Sequence, residues 1–213
     1  MPRKIEFDVD ASIEQATRLF WTQGYENTSL DELLGSMQIS PGSFYNKFQS
    51  KKKLYRLCMD QYNDRHTVRR TKILFNPATP VPQAVRDFFR LVIEEVTGAE
   101  PARGTQSTGQ SGERKELPRG CLMTNSICGE VLAQPDLGEY VITGIRDIQE
   151  RLADRLREGV DQGDLPADFD AETAAGLMIS WIQGLNKASQ LGKSAEQLQK
   201  ENEMLLSGLG MGR

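Results

Sequence analysis

Three helix starts crowd into one short stretch of this chain, and they constrain its fold more than any other feature. Ser29 stands before "LDELL" with Glu32 three residues on, a capping box. Ser40 is followed by Pro41, an N-cap with proline at the first helical position. Ser50 precedes "KKKLY" as a third N-cap. Starts this close leave room only for short helices joined by tight turns. Upstream, "VDASIEQATRLFWTQGYENTSL" puts Ile13, Ala16 and Phe20 on one face and offers Gly24 as a C-terminal cap. A longer helix bracing two short ones is the helix-turn-helix layout.

The remaining chain also reads as helix. A fourth helix is expected from Lys51 to about Phe75, stopping before Asn76 and Pro77. A fifth covers "PQAVRDFFRLVIEEVTG", with Val85, Phe88, Phe89, Val92, Ile93 and Val96 as its apolar face. Residues 98–118 turn to Gly, Ser, Thr and charge, with little to bury, and read as a mobile loop. Helical pattern resumes at "GCLMTNSICGEVLAQ", and Pro135 opens a longer helix ending near Gly163. "DAETAAGLMISWIQGLNKASQLG" and "SAEQLQKENEMLLSGL" complete an all-α chain of about nine helices, without a strand pattern. The expected division is a helix-turn-helix domain over 1–50 and a larger helical domain over 51–213.

Charge separates these two parts. The net charge of −4 is the sum of +3 in residues 1–75, with 12 basic and 9 acidic residues, and −7 beyond, with 14 basic and 21 acidic. The basic third coincides with the short helices, which directs attention to a polyanion. The chain has no run of eighteen apolar residues and no apolar leader in "MPRKIEFDVD", so a cytoplasmic location is expected. Three cysteines, Cys58, Cys121 and Cys128, are too few for a disulfide framework. On one shared helix Cys121 and Cys128 would stand roughly 10 Å apart, too far to bridge. The single histidine, His66, excludes multi-histidine metal sites, and an enzyme is not expected. No cofactor or metal is called for.

The segment "TRLFWTQGYENTSLDELLGSMQISPGSFYNKFQSKKKLY" resembles the DNA-binding region of the TetR family of bacterial transcription regulators. "PRGCLMTNSICGEVLAQPDL" is similar, more weakly, to a stretch found in some of its members. The resemblance implies a cytoplasmic all-helical homodimer that binds a palindromic double-stranded DNA operator, most often as a repressor, and is released by a small-molecule effector. Carried over by position, it places Thr28, Ser29, Tyr45 and Lys51 at phosphates. Pro41, Gly42, Ser43, Asn46 and Lys47 read the groove, with Phe44 and Phe48 turned into a small core. Gly42 and Ser43 are small enough for close groove approach, and Tyr45, Asn46 and Lys47 can hydrogen-bond to phosphate or base edges. Two positions depart from the pattern. Lys47 stands where histidine is common, and Gln38 where glycine is common, at a cost of about 1 kcal/mol if that turn is left-handed.

Lys51, Lys52 and Lys53 oppose the helix dipole by a few tenths to about 1 kcal/mol each, a cost that a nearby phosphate would reverse. The alternative is a solvated lysine run. The expected effector pocket draws on Met59, Tyr62, Phe88, Val92, Met123, Ile127, Met178 and Trp181, a set equally suited to ordinary core. Cys121, after Arg119 and at a helix start, is a candidate thiol sensor or a small core residue. Gly176, Ser180, Gly184 and Ala188 recur every four residues and fit a close helix contact, within the chain or at the dimer interface. A ligand-independent architectural or cell-cycle protein on the same fold is the other reading; it predicts a filled interior.

Overall fold

The computed structural model describes residues 7–98 and 118–212. The expected loop at 98–118 lies, except for its two end residues, outside them. Among the described residues there are ten helices: α1 (Val9–Asn27), α2 (Leu30–Met37), α3 (Pro41–Phe48), α4 (Lys51–Leu74), α5 (Val81–Thr97), α6 (Leu122–Asn125), α7 (Gly129–Ala133), α8 (Pro135–Asp161), α9 (Ala171–Gln190) and α10 (Ala195–Gly208).

The caps act as the local sequence requires. Ser29 accepts from the Glu32 amide, and Glu32 returns a carboxylate to the Ser29 amide. Ser40 accepts from the Ser43 amide, and Ser50 from the Lys53 amide. Gln38 adopts φ 55°, ψ 41°, the left-handed conformation suspected of that turn, and Gln49 also has positive φ at 66°. In α1 the regular helix breaks at Gly24, where φ 84° and ψ 165° are open to glycine alone. The freed Gly24 carbonyl accepts a 2.7 Å bond from the Thr28 hydroxyl.

The helix count exceeds the expected nine because "GCLMTNSICGEVLAQ" is not one helix. Cys128 is extended at φ −140°, ψ 158°, which separates α6 from α7. Buried Ser126 anchors this corner: its Oγ lies 2.7 Å from Tyr55 Oη and donates to the Leu122 carbonyl at 2.8 Å. Cys121 and Cys128 therefore cap separate short helices.

Helix α4 is shared by head and body. Its first half packs on α1, with the Tyr55 ring 4.8 Å from Phe20 and 4.7 Å from Tyr25, so packing is continuous across residue 50. Its second half packs on α5, where Arg70 Nε donates 2.8 Å to Glu95 Oε2. Burial alone would raise the Glu95 carboxyl, but the Arg70 cation, with His66 beside it, holds it below the ordinary range. His66 Nδ1 lies 3.3 Å from Glu95 Oε1, within ion-pair reach but unaligned for a hydrogen bond. At the end of α4, buried Arg155 from α8 donates to the carbonyls of Leu74, Asn76 and Thr79 at 2.9, 3.2 and 3.0 Å. A cation there satisfies terminal carbonyls and complements the dipole. No helix of the described residues is long and apolar enough to cross a membrane.

Candidate nucleic-acid interface

Helix α3 divides cleanly into two faces. Phe44 and Phe48 are buried against Phe7 and the head core, while Pro41, Gly42, Tyr45, Asn46 and Lys47 face solvent. Tyr45 is 54 % exposed, an unusual position for an aromatic ring in a small core-forming helix. Its ring meets the Phe44 ring edge-on, with centroids 5.4 Å apart. Gly42 is not required by internal packing, since a Cβ there would meet nothing nearer than Ser40 Oγ at 3.9 Å. A glycine kept inside a helix without an internal reason costs about 1 kcal/mol and favours close approach from outside. Ser43 is half-buried, its Oγ 3.0 Å from Ser40 Oγ.

Two expected phosphate contacts are otherwise engaged. Thr28 is fully buried with its hydroxyl on the Gly24 carbonyl, so its side chain offers no surface contact. The break at Gly24 supplies the acceptor that turns it inward. Ser29 is exposed, yet its amide and hydroxyl both donate to Glu32 Oε2 at 2.7 Å. That pairing holds the Glu32 carboxyl below its ordinary range.

The lysine run is likewise tethered. Lys51 Nζ lies 4.4 Å over the Tyr25 ring and 3.5 Å from the Glu26 carbonyl, near the end of α1. Lys52 pairs with Asp136 at the start of α8 at 2.7 Å, and Lys53 bonds to Gln49. Their opposition to the α4 dipole is offset by partners within the chain. These lysines thus brace the base of the head as well as adding positive charge beside it.

The residues expected to line an effector pocket differ in their surroundings. Met59, Tyr62, Phe88, Val92 and Met178 are buried in the packed core, whereas Ile127 is 37 % exposed. Two clefts, of about 400 and 420 Å³, are lined by none of the eight residues proposed for it. Cys121 is only 5 % exposed and sits beside buried Tyr62, which supports the packing role. The small-residue stripe also divides. Gly176 faces Gln149 of α8 and Ala188 packs on the core, while Ser180 and Gly184 face solvent. A strict four-residue repeat drifts about 40° per step around a 3.6-residue helix, so the stripe cannot stay on one contact.

Sequence reasoning missed two internally paired arginines, half-buried Arg70 and buried Arg155. Their partners lie 25 and up to 81 residues away in sequence, and no local pattern marks them.

The fold and the α3 surface define a helix-turn-helix DNA-binding protein. Residues 13–58 match the family model for bacterial regulatory proteins of the tetR family, and residues 105–205 match a tetracyclin repressor-like C-terminal domain. The chain belongs to the TetR family of transcription regulators. It is 29 % identical over 195 residues to the HTH-type transcriptional repressor ComR of Escherichia coli, covering 90 % of this chain and 84 % of that one. It is 27 % identical over 182 residues to the transcriptional regulator AcuR of Cereibacter sphaeroides, covering 84 % and 74 %. A cysteine mutant of the TetR-family regulator CifR, solved with a 26-bp operator duplex, superposes with a TM-score of 0.81 at 25 % identity, covering 96 % and 98 %.

Proposed function

We propose that this DNA-binding transcription regulator is a cytoplasmic repressor that binds a palindromic operator as a homodimer and is released by a small molecule. The observation that carries the reading is α3, which keeps Phe44 and Phe48 in the core and presents Gly42, Tyr45, Asn46 and Lys47 outward. Asn46 and Lys47 are suited to base edges and phosphates, and Tyr45 to a phosphate oxygen. Pro41 and Ser43 flank the contact. Lys51 reaches a phosphate by leaving the Tyr25 ring, and Ser29 does so by exchanging Glu32 for it.

Pairing two heads one helical turn apart requires a dimer. The outer faces of α8 and α9 supply a surface, with Ile142 and Leu177 each 49 % exposed beside Ser180 and Gly184. The test is binding of purified protein to DNA flanking its own gene against a scrambled duplex, across a salt series. Tight, sequence-dependent binding, weakened by Asn46→Ala and Lys47→Ala, is expected. Equal weak binding to both duplexes would overturn the operator reading.

Met59, Val92 and Met178 are buried, and a filled interior around them is what the second reading, a ligand-independent DNA-binding protein, requires. The two readings separate on whether any compound releases a bound operator.

A further inference from the structure

The cleft of about 420 Å³ lies where head and body meet, and its volume falls within the roughly 300–1,000 Å³ of small-molecule sites. Three parts of the chain wall it: Trp21–Gly24 at the break in α1, Pro118, Arg119 and Asn125 around α6, and Lys187 with Gln190 on α9. Side chains tie these walls together. Gln190 Nε2 donates to Asn125 Oδ1 at 2.8 Å, and Asn125 Nδ2 donates to the Trp21 carbonyl at 3.5 Å.

The lining has a definite chemical bias. Among the described residues, its charged liners are Arg119 and Lys187, both cationic. Arg119 is fixed by bonds to the Ser189 and Lys193 carbonyls at 3.2 and 3.5 Å, and Lys187 Nζ contacts Gln190 Oε1 at 3.4 Å. Among the described residues, no carboxylate of the lining neutralises either one. The other polar liners, Thr22, Gln23, Asn125 and Gln190, are neutral hydrogen-bonding groups. Two liners also carry buried polar atoms without a partner, the Trp21 indole nitrogen and Gln23 Oε1.

We infer that this cleft binds a small hydroxylated organic carboxylate and that its occupancy regulates the head. The carboxylate pairs with Lys187 and Arg119, and the neutral amides and Thr22 take the hydroxyl. The route to the head is short. Trp21 packs edge-on against Tyr62 and His66 of α4, with ring centroids 5.1 and 6.3 Å away. Gly24, on the same wall, starts the segment leading to α2. A ligand therefore bears on α1 and α4, the two helices that carry the head. Its coupling to DNA rests on the operator reading above, while the site itself does not.

The test is calorimetric titration of the full-length protein with salicylate and with its neutral analogue salicylamide. One-site saturable binding of salicylate is expected, at least tenfold weaker for salicylamide and at least tenfold weaker in Lys187→Gln, an exposed position where folding is not at risk. Absence of saturable salicylate binding, equal affinity for the amide, or an unchanged Lys187→Gln would overturn the site. A second arm measures operator affinity, expected to fall at least tenfold with saturating salicylate in the native protein but not in Lys187→Gln. Bound salicylate with unmoved operator affinity would overturn the coupling. Failure to bind any specific duplex would instead count against the operator reading, with the calorimetry still reporting on the site.

Discussion

The two ends of α4 use positive charge in opposite ways. At its C-terminal end Arg155 is 2 % exposed and saturated by backbone carbonyls, and Arg70 one turn earlier is locked to Glu95. Dipole and cation agree there, so the charge belongs to folding. At its N-terminal end Lys51, Lys52 and Lys53 oppose the dipole and hold partial, solvent-accessible contacts beside the exposed Lys47 of α3. Cations placed against a dipole at the surface remain available to an external anion. The difference teaches that counting basic residues in this third of the chain overstates its DNA-facing charge, because part of the count is internal.

The largest effect that would sharpen this contrast is expected for Arg70→Met. It strips the guanidinium from the buried Glu95 carboxylate and leaves it to His66 Nδ1 at 3.3 Å, at a cost of roughly 3–5 kcal/mol in urea unfolding, and Glu95→Leu added to it should recover much of the loss. Arg155→Ala should cost about 2–3 kcal/mol by orphaning the carbonyls it serves, while the folded fraction keeps its operator affinity. A drop in intrinsic DNA affinity in either variant would break the division between the two ends.

Acid should act on the same end. The Glu95 carboxyl is depressed in the folded chain, so its contribution is present above the ordinary carboxyl value of 4.5 and is lost as pH falls below it toward the lower folded value. Unfolding followed against pH should lose this dependence in the Arg70→Met, Glu95→Leu pair. Lys47→Ala should leave stability unchanged and reduce the slope of log affinity against log salt by about 0.9, the share of one phosphate contact. The smallest effect is expected for Lys52→Ala. Its partner Asp136 is exposed, and melting should show no resolvable change. A marked destabilisation would place Lys52 with the structural cations.

Thiol labelling provides an independent check on the interior. Burial pushes the Cys58 thiol up to about 12, and Cys121 is 5 % exposed. Iodoacetamide should therefore modify half-buried Cys128 first. Cys121 alkylation faster than that of a free thiol would revive the sensor role.

What was legible in the sequence is what local chemistry determines. Ser29, Ser40–Pro41 and Ser50 each declare a helix start within four residues, and the family resemblance carried Phe44 and Phe48 to the inner face of α3. The left-handed turn at Gln38 was readable as a departure from glycine. The breaks at Cys128 and the burial of Thr28 were not, because each depends on a contact made only after folding: Tyr55 with Ser126, and Thr28 with a carbonyl released at Gly24. The pocket residues show the same limit. Periodicity identifies Val92 as inward, and Met59 and Met178 join it only by the family's layout, but an inward face does not reveal whether space remains beside it.

Gly24 carries this distinction further. A side chain added there would meet nothing within 4 Å, yet φ 84° and ψ 165° admit only glycine. In a library randomised at every position, residue 24 should return glycine alone while projecting into open space. A variant such as Gly24→Ala would have to rewind the last turn of α1, re-aiming the segment that delivers α2 and α3 to DNA. At this position selection acts on torsion angles rather than volume, and the requirement is one of direction: where the chain points as it enters the head.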